Sequence, residues 1–352
     1  MVSPDISSKI VIVGTDPRGR GGIATVINEH QKLLPGAGFV KIHQSGPQKF
    51  ILPLTAIFSS LRYAGKRHKV FHVHSASFSD FYRCSIFVML YKLMGKKVIL
   101  HIHGAKFEEF YGEGNKFVKY ICNKADGLAT VSTHFVEFLK RNKLNSRVWL
   151  VHNSLPVAPP NDLPKKNQSS ENIVFSYFGA LDNRKGIFEV VEAIAEYRHL
   201  FTKGIKLIIG GNGDKAHLEK LIADGGIADM VEFRGWLDAE GKDRLLRESD
   251  VFIHPSRFES FGISILEAMN YGLPVITTAV GGIKDLVTDN YNGIIVECGN
   301  RKQIASAMAK MIENPSERIK MGRNSALHAA DFSPAAIERQ LTDMYTEFIT
   351  EK

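Results

Sequence analysis

The chain has 352 residues, of which 44% are hydrophobic and 23% are charged, and its formal net charge is +8. This composition is typical of a globular protein, and it excludes a mainly disordered, fibrous or low-complexity chain. The length favours two domains of roughly 150 to 180 residues.

The basic residues are concentrated in the first half of the chain. Residues 1–160 carry 22 Lys and Arg against 9 Asp and Glu, whereas residues 161–352 carry 23 against 28. Such asymmetry suggests that the first half meets an anionic partner, for which nucleic acid, an acidic lipid surface and a phosphorylated acceptor are candidates. A solvated basic face without a partner is the alternative.

The N-terminus and the cysteines indicate the compartment. The opening MVSPDISSKIVIVG lacks the basic and apolar regions of a signal peptide, and no run approaches the roughly 18 apolar residues of a membrane span. Cys84, Cys122 and Cys298 lack the spacing of a zinc or redox motif. We therefore expect a cytoplasmic protein with buried free thiols.

Short β-branched runs alternate with helix-length segments in both halves of the chain, which predicts parallel sheets with crossover helices. The strands predicted in the first half are 9–14, 39–43, 69–74, 97–102, 126–131 and 147–151. Those predicted in the second half are 172–179, 205–211, 230–235, 250–256, 273–278 and 293–297.

A proline-rich polar stretch, LPVAPPNDLPKKNQSS, separates the two series of strands and predicts a domain boundary. We expect an N-terminal Rossmann-like domain over 1–156, a linker over 157–171 and a second Rossmann-like domain over 172–333. Apolar spacing after Ser333-Pro334 predicts a last helix over 334–350, so that 334–352 joins the first domain. Ligands of such α/β domains are expected at the carboxyl ends of the strands, in a cleft between the domains.

The first motif is the glycine-rich segment 14–24, GTDPRGRGGIA, between the first strand and a helix predicted to begin near Ala24. Glycines and a helix N-terminus suit a diphosphate. The segment formally contains GxGxxA, but four residues separate it from the strand end at Gly14. The next strand also ends without the acidic residue of a dinucleotide site. A nicotinamide or flavin site is therefore disfavoured, and a glycine turn without a ligand is the alternative.

The second motif is His101-Ile102-His103-Gly104 at a strand end. Alternation places His101 and His103 on the same side of the sheet, so that one of them can face the ligand. A metal site is the alternative, but no carboxylate or cysteine pattern completes one, and the same spacing at His72 and His74 lacks a third ligand. Structural histidines are a further alternative.

The third motif is the turn FGALDNRKG (178–186), which opens a helix predicted over 187–200. Arg184 and Lys185 supply donors for phosphate oxygens beside a helix N-terminus, which suits a leaving diphosphate. A solvated basic turn is the alternative.

The fourth motif, HPSRFESFGISILEAM (254–269), is the most specific. It runs from a buried strand through a loop into an amphipathic helix. Glu259 lies in the loop and can reach a ligand, whereas Glu267 lies in the helix and can accept hydrogen bonds from vicinal hydroxyls such as a ribose diol. Taken singly, each glutamate is more often a surface residue.

Together these motifs resemble those of retaining glycosyltransferases of family 4 (glycosyl transferases group 1), which have the GT-B fold. The resemblance rests on Glu259 and Glu267 within the fourth motif, the Arg184-Lys185 turn, GLPVITTAVGGIKDLV (272–287), Gly21-Gly22 and His103-Gly104. It extends over nearly the whole chain. It implies two Rossmann-like domains facing each other across a cleft, the first receiving the acceptor and the second the nucleotide-sugar donor.

The resemblance assigns roles to residues of the donor site. Lys185 and Arg184 would hold the diphosphate, Glu267 the nucleotide ribose and Glu259 the sugar hydroxyls. The backbone N–H groups of Phe261, Gly262 and Ile263 would assist Glu259.

The resemblance also implies that His103 lies near the reacting carbon and that Gly21 and Gly22 close over the phosphates. The donor would be a UDP- or GDP-type sugar, with no cofactor and no metal, and the chain contains no Asp-x-Asp. Two positions depart from the family pattern: Ala180 stands where many relatives have arginine, and Asp285 replaces a glutamate.

The basic N-terminal domain could bind an anionic membrane that carries a lipid-linked acceptor. Helical candidates over 51–69 and 81–97 mix apolar faces with Lys and Arg, although buried helices with basic ends fit the same pattern. The function predicted is transfer of a sugar to an acceptor hydroxyl in cell-surface polysaccharide synthesis. A sugar-nucleotide epimerase and a catalytically inactive nucleotide-binding regulator are the alternatives, and nucleic-acid binding is disfavoured.

Overall fold

The computed structural model describes residues 1–19, 21–43, 52–155 and 172–350, with the side chains of 52–54 excepted. Contacts divide the chain into two units, Met1–Pro156 with Phe332–Lys352, and Val157–Asp331. The predicted linker 157–171 lies outside the described residues.

The first unit contains a parallel sheet with strand order β2-β1-β3-β4-β5-β6 in the described part of the chain. Its strands are β1 (Ile10–Thr15), β2 (Gly38–His43), β3 (Val70–Ser75), β4 (Lys97–Ile102), β5 (Gly127–Thr130) and β6 (Val148–Leu150). β1 and β3 are buried along almost their whole length, because helices cover both faces of a parallel sheet.

Helices connect these strands and close the first unit. They are α1 (Pro4–Ser7), α2 (Gly22–Leu33), α3 (Leu52–Leu61), α4 (Ser79–Leu93), α5 (Phe107–Tyr111), α6 (Lys116–Lys124), α7 (Thr133–Arg141) and α14 (Pro334–Thr350). α14 packs its buried Leu341 and Tyr345 into the cluster that contains Ile10 and Ile99, and so belongs to this unit.

Two helix predictions in the first unit were too long. The candidate over 51–69 ends at Leu61, because 62–69 forms turns before β3 begins. The candidate over 81–97 begins at Ser79 and ends at Leu93, since Gly95 adopts φ 67 and Lys97 already lies in β4. Apolar and basic residues continue beyond both helix ends, so composition alone does not mark them.

The second unit contains a parallel sheet with strand order β12-β11-β10-β7-β8-β9 in the described part of the chain. Its strands are β7 (Asn172–Leu181), β8 (Gly204–Gly213), β9 (Val231–Phe233), β10 (Val251–His254), β11 (Val275–Thr278) and β12 (Gly293–Val296). The strand order reverses between β7 and β10, and ligands of open α/β sheets bind beyond the strand ends at such a switch point.

Six helices flank the second sheet in the described residues. They are α8 (Ile187–Tyr197), α9 (Lys215–Gly225), α10 (Ala239–Glu248), α11 (Ile263–Asn270), α12 (Arg301–Glu313) and α13 (Pro315–Ala329). The helix predicted over 187–200 ends at Tyr197, and a short 3₁₀ turn continues it to Leu200.

Two of the three cysteines are buried as predicted, but Cys298 is exposed, because it lies in the turn between β12 and α12. In the described residues, every helix is too short or too polar to cross a membrane.

Candidate functional site

The two most specific motifs follow adjacent strands of the second sheet. The turn with Arg184 and Lys185 follows β7, and the loop with Glu259 follows β10. β7 and β10 are paired through Phe175 and Val251. Strand order thus brings together two segments that lie more than 70 residues apart in the chain.

The turn after β7 is built by Asp182. Its carboxylate accepts the backbone N–H of Lys185 at 3.0 Å and the guanidinium of Arg184 at 3.1 Å. Gly186 then begins α8 with φ 74, and a Cβ there would lie 2.1 Å from the carbonyl oxygen of Pro255. Only glycine therefore allows this turn to pack against the loop that follows β10.

Lys185 and Glu259 form an ion pair. The Nζ of Lys185 lies 2.5 Å from Oε2 of Glu259, and the two side chains are 15% and 12% exposed. Burial alone would raise the pKa of Glu259, but the charge of Lys185 and a polar contact with His254 outweigh it and lower that pKa well below its usual range. The site therefore holds a carboxylate and an ammonium at neutral pH.

His254 lies beside this pair at the end of β10. Its Nε2 is 3.7 Å from Oε2 of Glu259, and its ring stacks on Tyr177 at 5.2 Å between centroids. Burial lowers the pKa of His254, so it is neutral at neutral pH. Both nitrogens of His254 are buried without a hydrogen-bond partner in the described part of the chain.

The glycine pair of the GLPVI…GG run fixes the backbone of Glu259. Gly282 donates its N–H to the carbonyl of Glu259 at 3.3 Å. A Cβ on Gly281, which adopts φ 51, would lie 1.8 Å from the same carbonyl oxygen. Asp285 ends this 3₁₀ turn, and its carbonyl accepts a hydrogen bond from His328 at 2.9 Å.

Glu267 forms a second ion pair, with a partner that is partly exposed. Its Oε1 lies 2.5 Å from Nζ of Lys242 on α10, and Glu267 is 7% exposed. Burial raises the pKa of Glu267, and Lys242 opposes that shift. Lys242 also lies 5.4 Å from the ring centroid of Phe178 on β7. Lys242 was not predicted from the sequence, because a single lysine in a polar helix gives no signal.

Phe261, Gly262 and Ile263 lead from Glu259 into α11. Phe261 is fully buried, and Gly262 is the N-cap, so the first turn of α11 has no side-chain cap. Uncapped N–H groups at a helix N-terminus are donors available to an anionic or hydroxyl ligand. The structure thus brings together Lys185 and Glu259, with Arg184 in the same turn as Lys185, and links Glu267 to Glu259 through the start of α11.

The glycine loop of the first unit follows β1. Gly21 is the N-cap of α2 with φ 115, and α2 begins at Gly22, two residues before the predicted start. The carboxylate of Asp16 accepts bonds from Arg18 and Lys41, and Arg18 lowers the pKa of Asp16 to about 2. A cavity of about 420 Å³ opens beside it, lined by Asp16, Pro17, Arg18, Phe39, Lys41, Thr55 and Ser59.

His103 directly follows β4, at the strand end as predicted, and belongs to an array of buried histidines. Its Nε2 lies 2.9 Å from Nδ1 of His74, and its ring stacks on His101 at 4.0 Å between centroids. A Cβ on Gly104 would lie 2.0 Å from the hydroxyl of Ser77, so glycine lets the chain pass close to the β3–α4 connection. Burial lowers the pKa of His103 to about 3.

The structure places more histidines together than the sequence spacing indicated, which bears on the alternative of a metal site. His30 on α2 joins His72, His74 and His101, and one nitrogen from each lies within 4.8 Å of the others. The set contains no carboxylate or thiolate, so a divalent ion there would keep its full charge in a buried position. The Nε2 of His72 already lies 3.0 Å from Nδ1 of His101. Both nitrogens of His30 are buried without a hydrogen-bond partner in the described residues.

The second half of the chain is similar to known glycosyltransferases. Residues 160–328, somewhat less than half of the chain, match the model of the family "glycosyl transferases group 1". The alpha-D-kanosaminyltransferase of Streptomyces kanamyceticus is 32% identical over 173 residues, 49% of this chain and 45% of that protein. A D-inositol 3-phosphate glycosyltransferase of Corynebacterium kroppenstedtii is 31% identical over 183 residues, 50% and 41% of the two chains. The matched stretch thus spans less than half of these relatives.

Solved structures match almost the whole chain. A sucrose-phosphate synthase from Thermosynechococcus elongatus has a TM-score of 0.78 at 19% identity, covering 97% of this chain and 99% of that one. Anabaena Alr3699/HepE in complex with UDP and glucose has a TM-score of 0.72 at 17% identity, covering 96% and 99%. The chain therefore has the GT-B fold, and its residues 160–328 match the model of the glycosyl transferases group 1 family.

Proposed function

We propose that this protein is a retaining glycosyltransferase that moves a sugar from a nucleoside-diphosphate sugar to an acceptor hydroxyl. The observation that carries the proposal is the buried pair of Lys185 and Glu259 at the switch point of the family-matched domain. A cation and a carboxylate held together there can bind a diphosphate and a polyhydroxyl sugar side by side.

The charges of this site fit the chemistry. Breaking the sugar–phosphate bond builds negative charge on the diphosphate and oxocarbenium character on the sugar. Lys185 and Arg184 would stabilise the leaving diphosphate, a role that lowers the barrier most when the cations are fixed in advance. Glu259 would accept hydrogen bonds from the sugar hydroxyls, with the N–H groups of Phe261, Gly262 and Ile263 as donors.

Glu267 would bind the ribose diol of the nucleotide. Its Oε1 lies 2.5 Å from Nζ of Lys242, and a carboxylate is a strong acceptor for two neighbouring hydroxyls. In the first unit, Gly21 and Gly22 at the start of α2 would approach the phosphates, and His103 would contact the sugar. We propose same-face attack with the departing phosphate as base.

The donor can be found by a thermal-shift screen of UDP-, GDP- and ADP-sugars, followed by measurement of donor hydrolysis. We expect one nucleotide class to raise the melting temperature and to be hydrolysed slowly without added acceptor. No shift and no hydrolysis with any of them would remove the proposal.

We further propose that no metal assists the reaction, since Lys185, Arg184 and helix N-termini supply the positive charge. Transfer should then proceed at the same rate with excess EDTA as with added Mg²⁺ or Mn²⁺. Restoration of an EDTA-abolished rate by either ion would contradict this proposal.

We propose that the acceptor is a glycan or lipid-linked saccharide of cell-surface polysaccharide synthesis, met at the inner face of an anionic membrane. A patch on α4 and α6 supports this proposal, because it exposes apolar side chains beside lysines. Tyr82 and Phe117 lie in contact across the two helices, 5.4 Å between ring centroids. The exposed residues of this patch are Tyr82, Ile86, Leu93, Phe117, Tyr120, Lys116, Lys119 and Lys124.

Aromatic, aliphatic and basic side chains on one surface are typical of interfacial membrane binding. Sedimentation with vesicles that contain acidic phospholipid should bring down the protein at low salt and release it at high salt. Equal sedimentation with neutral vesicles, or none with acidic ones, would contradict the membrane proposal and leave the transferase proposal standing.

A further inference from the structure

The pair formed by His74 and His103 links a residue of the proposed reaction to one that has no assigned role. His74 lies on β3 and His103 follows β4, the neighbouring strand. The Nδ1 of His74 is 2.9 Å from Nε2 of His103. Since a neutral imidazole has one N–H and one acceptor nitrogen, this bond decides which nitrogen of His103 carries the proton.

Both histidines are neutral at neutral pH. Burial lowers the pKa of His103 to about 3 and lowers that of His74 well below 6.5. One ring therefore donates and the other accepts. The direction follows from the second nitrogen of His74.

The Nε2 of His74 is buried without a partner in the described part of the chain. If the proton were on this nitrogen, a buried N–H would lack an acceptor, and such orphaned donors are among the rarest features of folded proteins. The proton of His74 therefore belongs on Nδ1, where His103 accepts it.

We propose that His74 is a positioning residue that holds His103 as its Nδ1–H tautomer, so that His103 presents an N–H donor to the donor sugar. This inference rests on the proposed function. The Nδ1 of His103 forms no hydrogen bond with the described residues, and Nε2 is occupied. His103 then donates to a sugar oxygen and does not act as the base, which agrees with the departing phosphate in that role.

Three further contacts hold His103 in place, one at its ring and two at the backbone. The ring of His101 stacks on the ring of His103 at 4.0 Å between centroids. The backbone N–H of His103 donates to the carbonyl of Ser75 at 2.8 Å, and the next residue, Gly104, packs against Ser77. The hydrogen bond to His74 then sets the tautomer and the rotation of the His103 ring.

The tautomer can be read by NMR of the protein with ¹⁵N-labelled histidine, with His103 assigned by comparison with H103Q. We expect Nδ1 of His103 to carry the proton in the native protein. In H74L this preference should disappear, and in H74N, whose amide lies where Nδ1 of His74 was, it should persist. A proton on Nε2 of His103 in the native protein, or an unchanged tautomer in H74L, would overturn the inference.

Kinetics supply the second readout. H74L should lower kcat by about 10- to 100-fold with little change in KM for the donor, and H74N should restore most of kcat. Equal losses in both variants would overturn the inference. Tyr345→Phe is the control, because Tyr345 bonds to His72 in the same array and not to His103. It should leave kcat and the His103 tautomer unchanged.

The NMR readout needs no activity, so its result is distinct from a failure of the proposed function. If H74L does not fold, the spectra of the native protein and of H74N still test the inference. A proton on Nε2 of His103 in either protein contradicts it.

Discussion

The ammonium of Lys185 lies 2.5 Å from the carboxylate of Glu259, although 74 residues separate them in the chain. This contact joins the strand-to-helix turn after β7 to the loop after β10. Removing either partner leaves the other as an uncompensated charge in a site that is nearly closed to solvent.

We predict that K185M lowers the free energy of unfolding by about 3 kcal/mol and lowers kcat/KM by about 10²- to 10³-fold. The double variant K185M/E259Q should regain most of the stability, because no buried charge remains, and should stay inactive. Urea unfolding and initial rates measure the two effects. A double variant as unstable as the sum of the single ones would show that the pair is not coupled.

The same pair makes stability depend on pH in a defined direction. The pKa of Glu259 is lowered from its ordinary value of 4.5. The contribution of Glu259 to the free energy of unfolding is therefore complete above about pH 4.5. It is lost as the pH falls toward the lowered pKa of the folded state, because Glu259 takes up a proton first in the unfolded chain.

The comparison protein for this effect is E259Q, which cannot titrate at this position. The stability difference between the native protein and E259Q, measured by urea unfolding, should be constant from pH 7 to about pH 5 and should shrink below it. Glu267 has a raised pKa, so its effect on the pH dependence of stability has the opposite sign. That effect is the same in both proteins and cancels in the difference. A pH-independent difference would contradict the ion-pair account.

Gly281 tests whether the glycine run positions Glu259. Alanine at Gly281 would bring a Cβ to 1.8 Å from the Glu259 carbonyl, and φ is 51 there. Gly226 has φ 58 and nothing within 4 Å, so G226A reproduces the backbone strain alone. We expect G226A to cost about 1 kcal/mol with full activity, and G281A to reduce kcat as well. Equal activity in the two variants would contradict a positioning role for Gly281.

Glu267 tests the nucleotide half of the site. E267Q should weaken binding of the preferred nucleoside diphosphate by about 10- to 100-fold in calorimetry, since a charged hydrogen bond is lost. E240Q is the control, because Glu240 is an exposed glutamate on α10 that pairs with Arg244. If E267Q binds as tightly as E240Q, Glu267 does not contact the nucleotide.

Much of the fold can be predicted from the sequence. Each of the twelve predicted strands is present with its ends shifted by at most two residues, because short β-branched runs between glycines and polar turns are typical of buried parallel strands. The predicted C-terminal ends of two helices, at 69 and 97, were wrong. The helices end at Leu61 and Leu93, but apolar and basic residues continue beyond both positions.

Contacts between residues far apart in the chain were harder to predict than the positions of strands. His30 is more than 40 residues from His72, and only the packing of α2 on the sheet brings them together. Lys242 is likewise placed beside Glu267 by α10. Single residues in ordinary helices give no pattern, whereas the motifs around Lys185 and Glu259 combine several residue types at fixed spacing.

The most direct test of the central claim is the configuration of the first sugar released or transferred from the donor found in the screen. Real-time ¹H NMR distinguishes the α- and β-anomers before mutarotation mixes them. The account predicts that the native protein first forms the anomer with the configuration of the donor, and that K185M forms neither at a comparable rate. Formation of the opposite anomer first would contradict the proposed retaining glycosyl transfer.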